Sequence, residues 1–193
     1  MAAQPFHFDA KMVAHYEVEG WKAYYDRNWL RLLRLIVALD QAQFRIPFPQ
    51  SVIAAYYIVR ASVVFVPKDH DSAAVCAYLA QFYRLARRYS GLTFDPEQAA
   101  RLETIYWDVH RKLVRLPDKT EFIEAMTALH AAIFGLTSEQ ARESGELRVE
   151  ANNVLDTITG HTSPDPVADW RRCEDLLARC YSSLERQKAT VST

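Results

Sequence analysis

The segment from Ile46 to Pro67, IPFPQSVIAAYYIVRASVVFVP, constrains the fold more than any other stretch of the chain. It carries one charge, Arg60, and is bracketed by Pro47 and Pro49 at its start and Pro67 at its end. Proline is tolerated in a first helical turn and cannot continue a helix, so the run between Pro49 and Pro67 is bounded as a single helix. Wound as an α-helix, the run is apolar on nearly every face, and such a helix is buried on all sides. A membrane span needs about 20 apolar residues and rarely carries an internal cation. The expectation is a buried central helix over residues 49–66, with the rest of the chain packed around it.

The remaining sequence is amphipathic at helical spacing and shows no β alternation of useful length. Asp9, Asp71 and Asp95-Pro96 are helix starts, and Asp165-Pro166 repeats the cap-plus-proline pattern. Gly91, Gly135 and Gly160 stand where helices should stop. Between Asp9 and Leu39 the apolar stripe shifts. Met12, Val13, Tyr16, Gly20 and Ala23 share one face, whereas Trp29, Leu32, Leu33, Ile36 and Val37 share another. One straight helix cannot bury both against one neighbour, so a break near Asp26 is expected. Late in the chain Trp170, Cys173, Leu177, Cys180 and Leu184 form a regular seam. No linker or repeat divides the chain. Residues 1–193 read as one all-α domain, a bundle of about seven helices with a polar, fraying tail over 188–193.

Composition narrows the function classes. Lys plus Arg is 23 and Asp plus Glu is 24, so no global field steers the protein to nucleic acid or to an anionic membrane. Arg27, Arg31 and Arg34, and likewise Arg111, Lys112 and Arg115, read as solvated ridges. Five glycines leave no material for a Gly-rich phosphate loop. Cys76, Cys173 and Cys180 include no C-x-x-C pair. Cys173 and Cys180 lie roughly 10 Å apart along one helix at 1.5 Å rise per residue, too far for a disulfide. Reduced thiols and the absence of a signal-like N-terminus lead to a cytoplasmic expectation.

Several places have side chains capable of chemistry. Arg60 shares a helical face with Tyr56 and Tyr57, and a buried Arg needs an anionic partner. That partner is either a carboxylate on a neighbouring helix (Glu19, Glu103 or Asp156) or a ligand held by the guanidinium fork. Glu103 and His110 are seven residues apart and project in nearly the same direction, with Tyr106 between them. His15 and Glu19 stand at i, i+4, a spacing that serves an ion pair or a metal ion. No Glu-x-x-His motif of the di-iron bundles occurs. Asn152 and Asp156 are also at i, i+4 on a polar helix edge. Lys68-Asp69-His70-Asp71 reads as a solvated turn with a cap.

Three functions follow as expectations. The first is binding of a small organic or anionic ligand in an internal polar and aromatic pocket, through Arg60, Tyr56, Tyr57, Glu103 and His110. The second is a metal-dependent oxidoreductase, either di-metal or heme-oxygenase-like, with a divalent metal on His15, Glu19, Glu103 and His110. The aromatic-rich segment WKAYYDRNWLRLLRLIVAL, Trp21 to Leu39, resembles helices of the heme-oxygenase-like seven-helix folds. That resemblance implies a helical bundle and transfers no residue roles. The third is an interaction module, a homodimer formed through the Trp29 to Leu39 face.

Overall fold

A computed structural model describes residues 6–114 and 116–191 of the chain; Arg115 of the second basic ridge lies outside the described residues. The described residues form eight α-helices and no strand. They are α1 (Ala10–Tyr25), α2 (Trp29–Phe44), α3 (Gln50–Phe65), α4 (Ser72–Ser90), α5 (Pro96–Leu113), α6 (Thr120–Phe134), α7 (Ser138–Thr159) and α8 (Pro166–Val191). The protein is an all-helical bundle. Among the described residues no helix is long and apolar enough to cross a membrane.

Local chemistry sets the helix ends. The Asp9 carboxylate accepts from the Lys11 and Met12 amides, Asp71 from Ala74, and Asp95 from Glu97 and Gln98 ahead of the N1 proline. Each satisfies amides that have no partner inside the helix. Thr137 and Gln140 form a reciprocal capping box at the start of α7. Gly91 and Gly135 close α4 and α6 with positive φ, a conformation that costs other residues more. The expected break falls at Asp26–Asn28, and Asn28 caps α2 through the Arg31 amide. The polar tail continues α8 as far as Val191, and residues 192 and 193 lie outside the described residues.

Each helix packs against its neighbours in sequence, and α8 returns to α1, so the eight helices close into a ring. The closure is polar as well as apolar. Glu185 of α8 accepts from the Phe8 amide and meets His7. Phe8 itself is buried against Phe134 and Tyr181. At Gly145 an added Cβ would stand 2.3 Å from the Thr127 hydroxyl, so α6 and α7 pack backbone to backbone there.

The ring corrects the expectation of a buried central helix. α3 is a peripheral member that packs on α2 and α4. Its fully buried residues are small: Ser51, Ala54, Ala55 and Ala61. Val52, Ile53, Tyr56 and Val63 face outward instead. An all-round apolar helix was expected at the centre because only there can every face be covered. Here the centre is a cavity, and among the described residues α3 lacks a neighbour on one side. On α1 the buried stripe is Ala10, Val13, Ala14 and Val18, while Met12, expected inside, is exposed.

Candidate functional site

The centre of the ring is a cavity of about 670 Å³ lined by side chains from all eight helices. α1 contributes Glu17, Trp21, Tyr24 and Tyr25, and α2 contributes Leu39, Asp40, Gln43 and Phe44. Ile58, Ser62 and Phe65 come from α3, and Phe82 and Tyr83 from α4. α5 gives Glu103, Tyr106, Trp107, His110 and Arg111. Met126, Leu129, His130, Ile133 and Phe134 follow from α6, Arg148, Asn152 and Leu155 from α7, and Tyr181 from α8. The wall is mostly apolar and aromatic with a few convergent polar groups, the usual make-up of a small-molecule site.

The polar groups form two connected sets. In the first, Arg148 Nη2 lies 2.5 Å from Glu17 Oε1. The Tyr181 hydroxyl donates to Glu17 Oε2 at 2.5 Å and accepts from Arg148 Nη1 at 3.2 Å. Burial works against the Arg148 charge, but Glu17, Tyr106 and Tyr181 outweigh it and hold its pKa well above the ordinary value. Burial, reinforced by the Glu17 carboxylate, keeps the Tyr181 hydroxyl protonated. In the second set, Glu103 accepts from the Tyr83 hydroxyl at 2.8 Å and from Trp107 Nε1 at 2.7 Å. Burial raises the Glu103 carboxyl, and the two donors with nearby Arg148 only partly offset it. Asn152 Nδ2 donates to the Tyr106 hydroxyl at 2.6 Å.

His130 is buried and has Nδ1 2.8 Å from the Ser144 hydroxyl. Ser144 gives its own proton to the Ala141 carbonyl, so Nδ1 carries the imidazole hydrogen and Nε2 is the basic atom. Burial, with the Arg148 charge added, lowers the His130 pKa to about 3. Two cavity-lining groups are left incomplete. Asp40 Oδ2 and Arg148 Nε are buried and have no hydrogen-bond partner among the described residues. Burial alone pushes the Asp40 carboxyl well above the usual carboxylate range.

The expected site residues divide between cavity and surface. Glu103 and His110 both line the cavity. His110 stacks on Phe122 at 4.9 Å and lies 3.3 Å from Asp156. Asn152 lines the wall as its spacing allowed, one turn from Asp156. Arg60, Tyr56 and Tyr57 do not line the cavity. Arg60 is exposed and donates to the Tyr78 hydroxyl at 3.3 Å, because this face of α3 turns away from the ring. Its expected carboxylate partners, Glu19, Glu103 and Asp156, are all engaged elsewhere. The proposed metal set is not assembled either. His15 meets Glu174 at 3.1 Å on the exposed side, and Glu19 pairs with Lys22 and Arg31. Among the described residues no group of three His, Cys, Asp or Glu side chains could hold a metal ion.

Other parts of the site were not legible as such. Arg111, read as part of a solvated ridge, lines the cavity. It lies 3.7 Å above the Phe65 ring and donates to the Phe65 and Pro67 carbonyls. His70, expected in a solvated turn, is covered, lies tilted against the Phe65 ring at 4.5 Å and meets Asp108 at 3.2 Å. Glu17 and Arg148 carried one usable signal. Each interrupts a buried stripe: Glu17 between Ala14 and Val18, and Arg148 between Leu147 and Val149. The three cysteines are free thiols, and burial raises Cys173 and Cys180 to about 12, which leaves both unreactive.

Comparison of the chain with protein families, with curated proteins and with solved structures gives no significant match.

Proposed function

We propose that this protein binds a small organic molecule in the cavity at the centre of the ring. The carrying observation is that two buried atoms of opposite type in one cavity wall are unmatched: the acceptor Asp40 Oδ2 and the donor Arg148 Nε. A buried polar group without a partner costs roughly 1–3 kcal/mol, and native interiors contain few of them. A ligand with a donor at one point and an acceptor at another completes both. The aromatic wall, which includes Trp21, Trp107, Phe65 and Tyr106, supplies the apolar contact. A cytoplasmic setting is part of this reading, since all three cysteines are free thiols.

The test is a thermal-shift screen of a few hundred small organic fragments against the wild type and Ser62→Phe, which places a ring into the cavity wall. Binding in the cavity predicts fragments that raise the wild-type Tm and leave that of the variant unchanged. Fragments that stabilise both proteins equally bind elsewhere and contradict the reading.

A second reading is favoured by the outer surface. Trp29 and Leu30 at the start of α2 are about three-fifths exposed, and Leu33 follows on the same helix. This is part of the face expected to form a homodimer, and exposed apolar clusters commonly mark interaction sites. Sedimentation equilibrium of wild type and a Trp29→Glu, Leu33→Glu double variant decides it. Self-association lost in the variant supports a dimer, and a monomeric wild type at high micromolar concentration contradicts it.

A further inference from the structure

We propose that the ligand is an organic ammonium compound whose cationic end is held by Asp40. The inference rests on the internal-pocket reading and adds the charge of the occupant. Glu17, Asp40 and Glu103 are the three carboxyl groups in the cavity wall. Only Glu17 is matched by a cation within the wall, through the Arg148 pair. Glu103 is matched by two neutral donors, Tyr83 and Trp107. The second guanidinium of the wall, Arg111, is committed to the carbonyls of Phe65 and Pro67 and to the Phe65 ring. Asp40 is 2% exposed, its Oδ2 has no partner, and burial is the one influence acting on its proton.

A carboxyl in this position is completed best by a group that brings both donors and positive charge. Charge-assisted hydrogen bonds are about twice as strong as neutral ones, and a low-dielectric wall strengthens them further. The other unmatched atom, Arg148 Nε, belongs to a guanidinium already neutralised by Glu17, so it calls for a neutral oxygen acceptor and not for a second carboxylate. An anionic ligand would meet Asp40 and Glu103, with Arg148 already neutralised by Glu17 and Arg111 committed to carbonyls and to the Phe65 ring. Aromatic side chains also line the cavity, and ammonium groups are attracted to aromatic π-systems.

The experiment uses three probes on one skeleton: 4-phenylbutylamine, 4-phenylbutanol and 4-phenylbutyrate. Each is titrated by isothermal calorimetry into the full-length wild type and into Asp40→Asn, with circular dichroism to establish that the variant is folded. The expected wild-type order is amine tightest, with the carboxylate weakest. Asp40→Asn weakens the amine by about tenfold or more and leaves the alcohol within about twofold, the loss expected for one charge-assisted partner. A wild type that prefers the carboxylate, or binds all three alike, overturns the inference and leaves the internal-pocket reading standing. So does an amine affinity unchanged in the folded variant. If none of the three binds, the pocket reading fails for ligands of this kind and the inference fails with it. The wild-type preference is decisive even if Asp40→Asn does not fold.

Discussion

Arg148 and Glu17 meet 2.5 Å apart across the ring, joining α7 to α1 at the wall of the central cavity. The side chains are 13% and 11% exposed, and the Tyr181 hydroxyl bridges them from α8. The seam where α7, α8 and α1 close the ring therefore holds a buried ion pair. Pairs of this kind add little stability over an apolar replacement, but removing one partner strands the other. Arg148→Met is expected to destabilise the protein by about 3 kcal/mol or more. Adding Glu17→Gln to that variant should recover a large part of the loss. Urea unfolding of the two single variants and the double variant measures the coupling, and strictly additive effects would contradict it.

His130 should make the fold acid-sensitive. Its folded pKa, about 3, lies below the unfolded value of 6.5. Between those values the unfolded chain binds one more proton than the folded one, so stability falls as pH falls through this window. From pH 7 to pH 5 the wild type is expected to lose roughly 2 kcal/mol more than His130→Gln. Parallel urea titrations of the two proteins at both pH values check this. Equal losses would show that His130 is protonated in the fold.

Asp40 works with the opposite sign. Burial raises its folded pKa, so its contribution is most favourable below the unfolded value of 3.8 and is lost as pH rises through the folded value. The protein thus carries a cost at neutral pH from this buried carboxyl. Asp40→Leu should raise stability at pH 7 by about 1–3 kcal/mol, with the gain shrinking toward pH 4. A variant less stable than the wild type at pH 7 would reveal a partner for Asp40 within the fold.

Two buried glycines should respond differently to alanine. At Gly20 the nearest atom to an added Cβ is Leu32 Cδ1, at 3.9 Å, an ordinary contact. Gly20→Ala is expected to stabilise by about 0.5–1 kcal/mol through helix propensity. At Gly145 the Cβ would stand 2.3 Å from Thr127 Oγ1 and 3.1 Å from the Thr127 amide nitrogen. Overpacking there costs about 1–3 kcal/mol and outweighs the propensity gain. Thermal unfolding of both variants gives the two signs.

Helix class and boundaries were legible because their causes are local. Asp71, Asp95-Pro96, Gly91 and Gly135 act within a few residues of themselves, and so does the break at Asp26. An internal pocket was expected, but not its place at the centre of the bundle, because that arises from how eight helices close on one another. The run between Pro49 and Pro67 showed that α3 could be buried all round, but not that its neighbours would leave one face bare. Glu103 and His110 border an apolar stripe seven residues apart on one helix, and that spacing brings both to the cavity wall. Glu17 and Arg148 were missed for the converse reason. Each sits inside a core stripe, where a charge has no local partner to mark it. Their match lies on another helix, 131 positions away by their numbering, and no spacing rule reaches that far.

The most direct test of an internal binding cavity is the NMR spectrum of the four tryptophan indoles, recorded with 15N label while 4-phenylbutylamine is added. Trp21 and Trp107 line the cavity, whereas Trp29 is exposed and Trp170 lies between α1 and α8 near Lys22. The account predicts saturable shifts of the Trp21 and Trp107 indole signals, with Trp29 and Trp170 unmoved. Shifts confined to Trp29, or none on any of the four at millimolar probe, would contradict it.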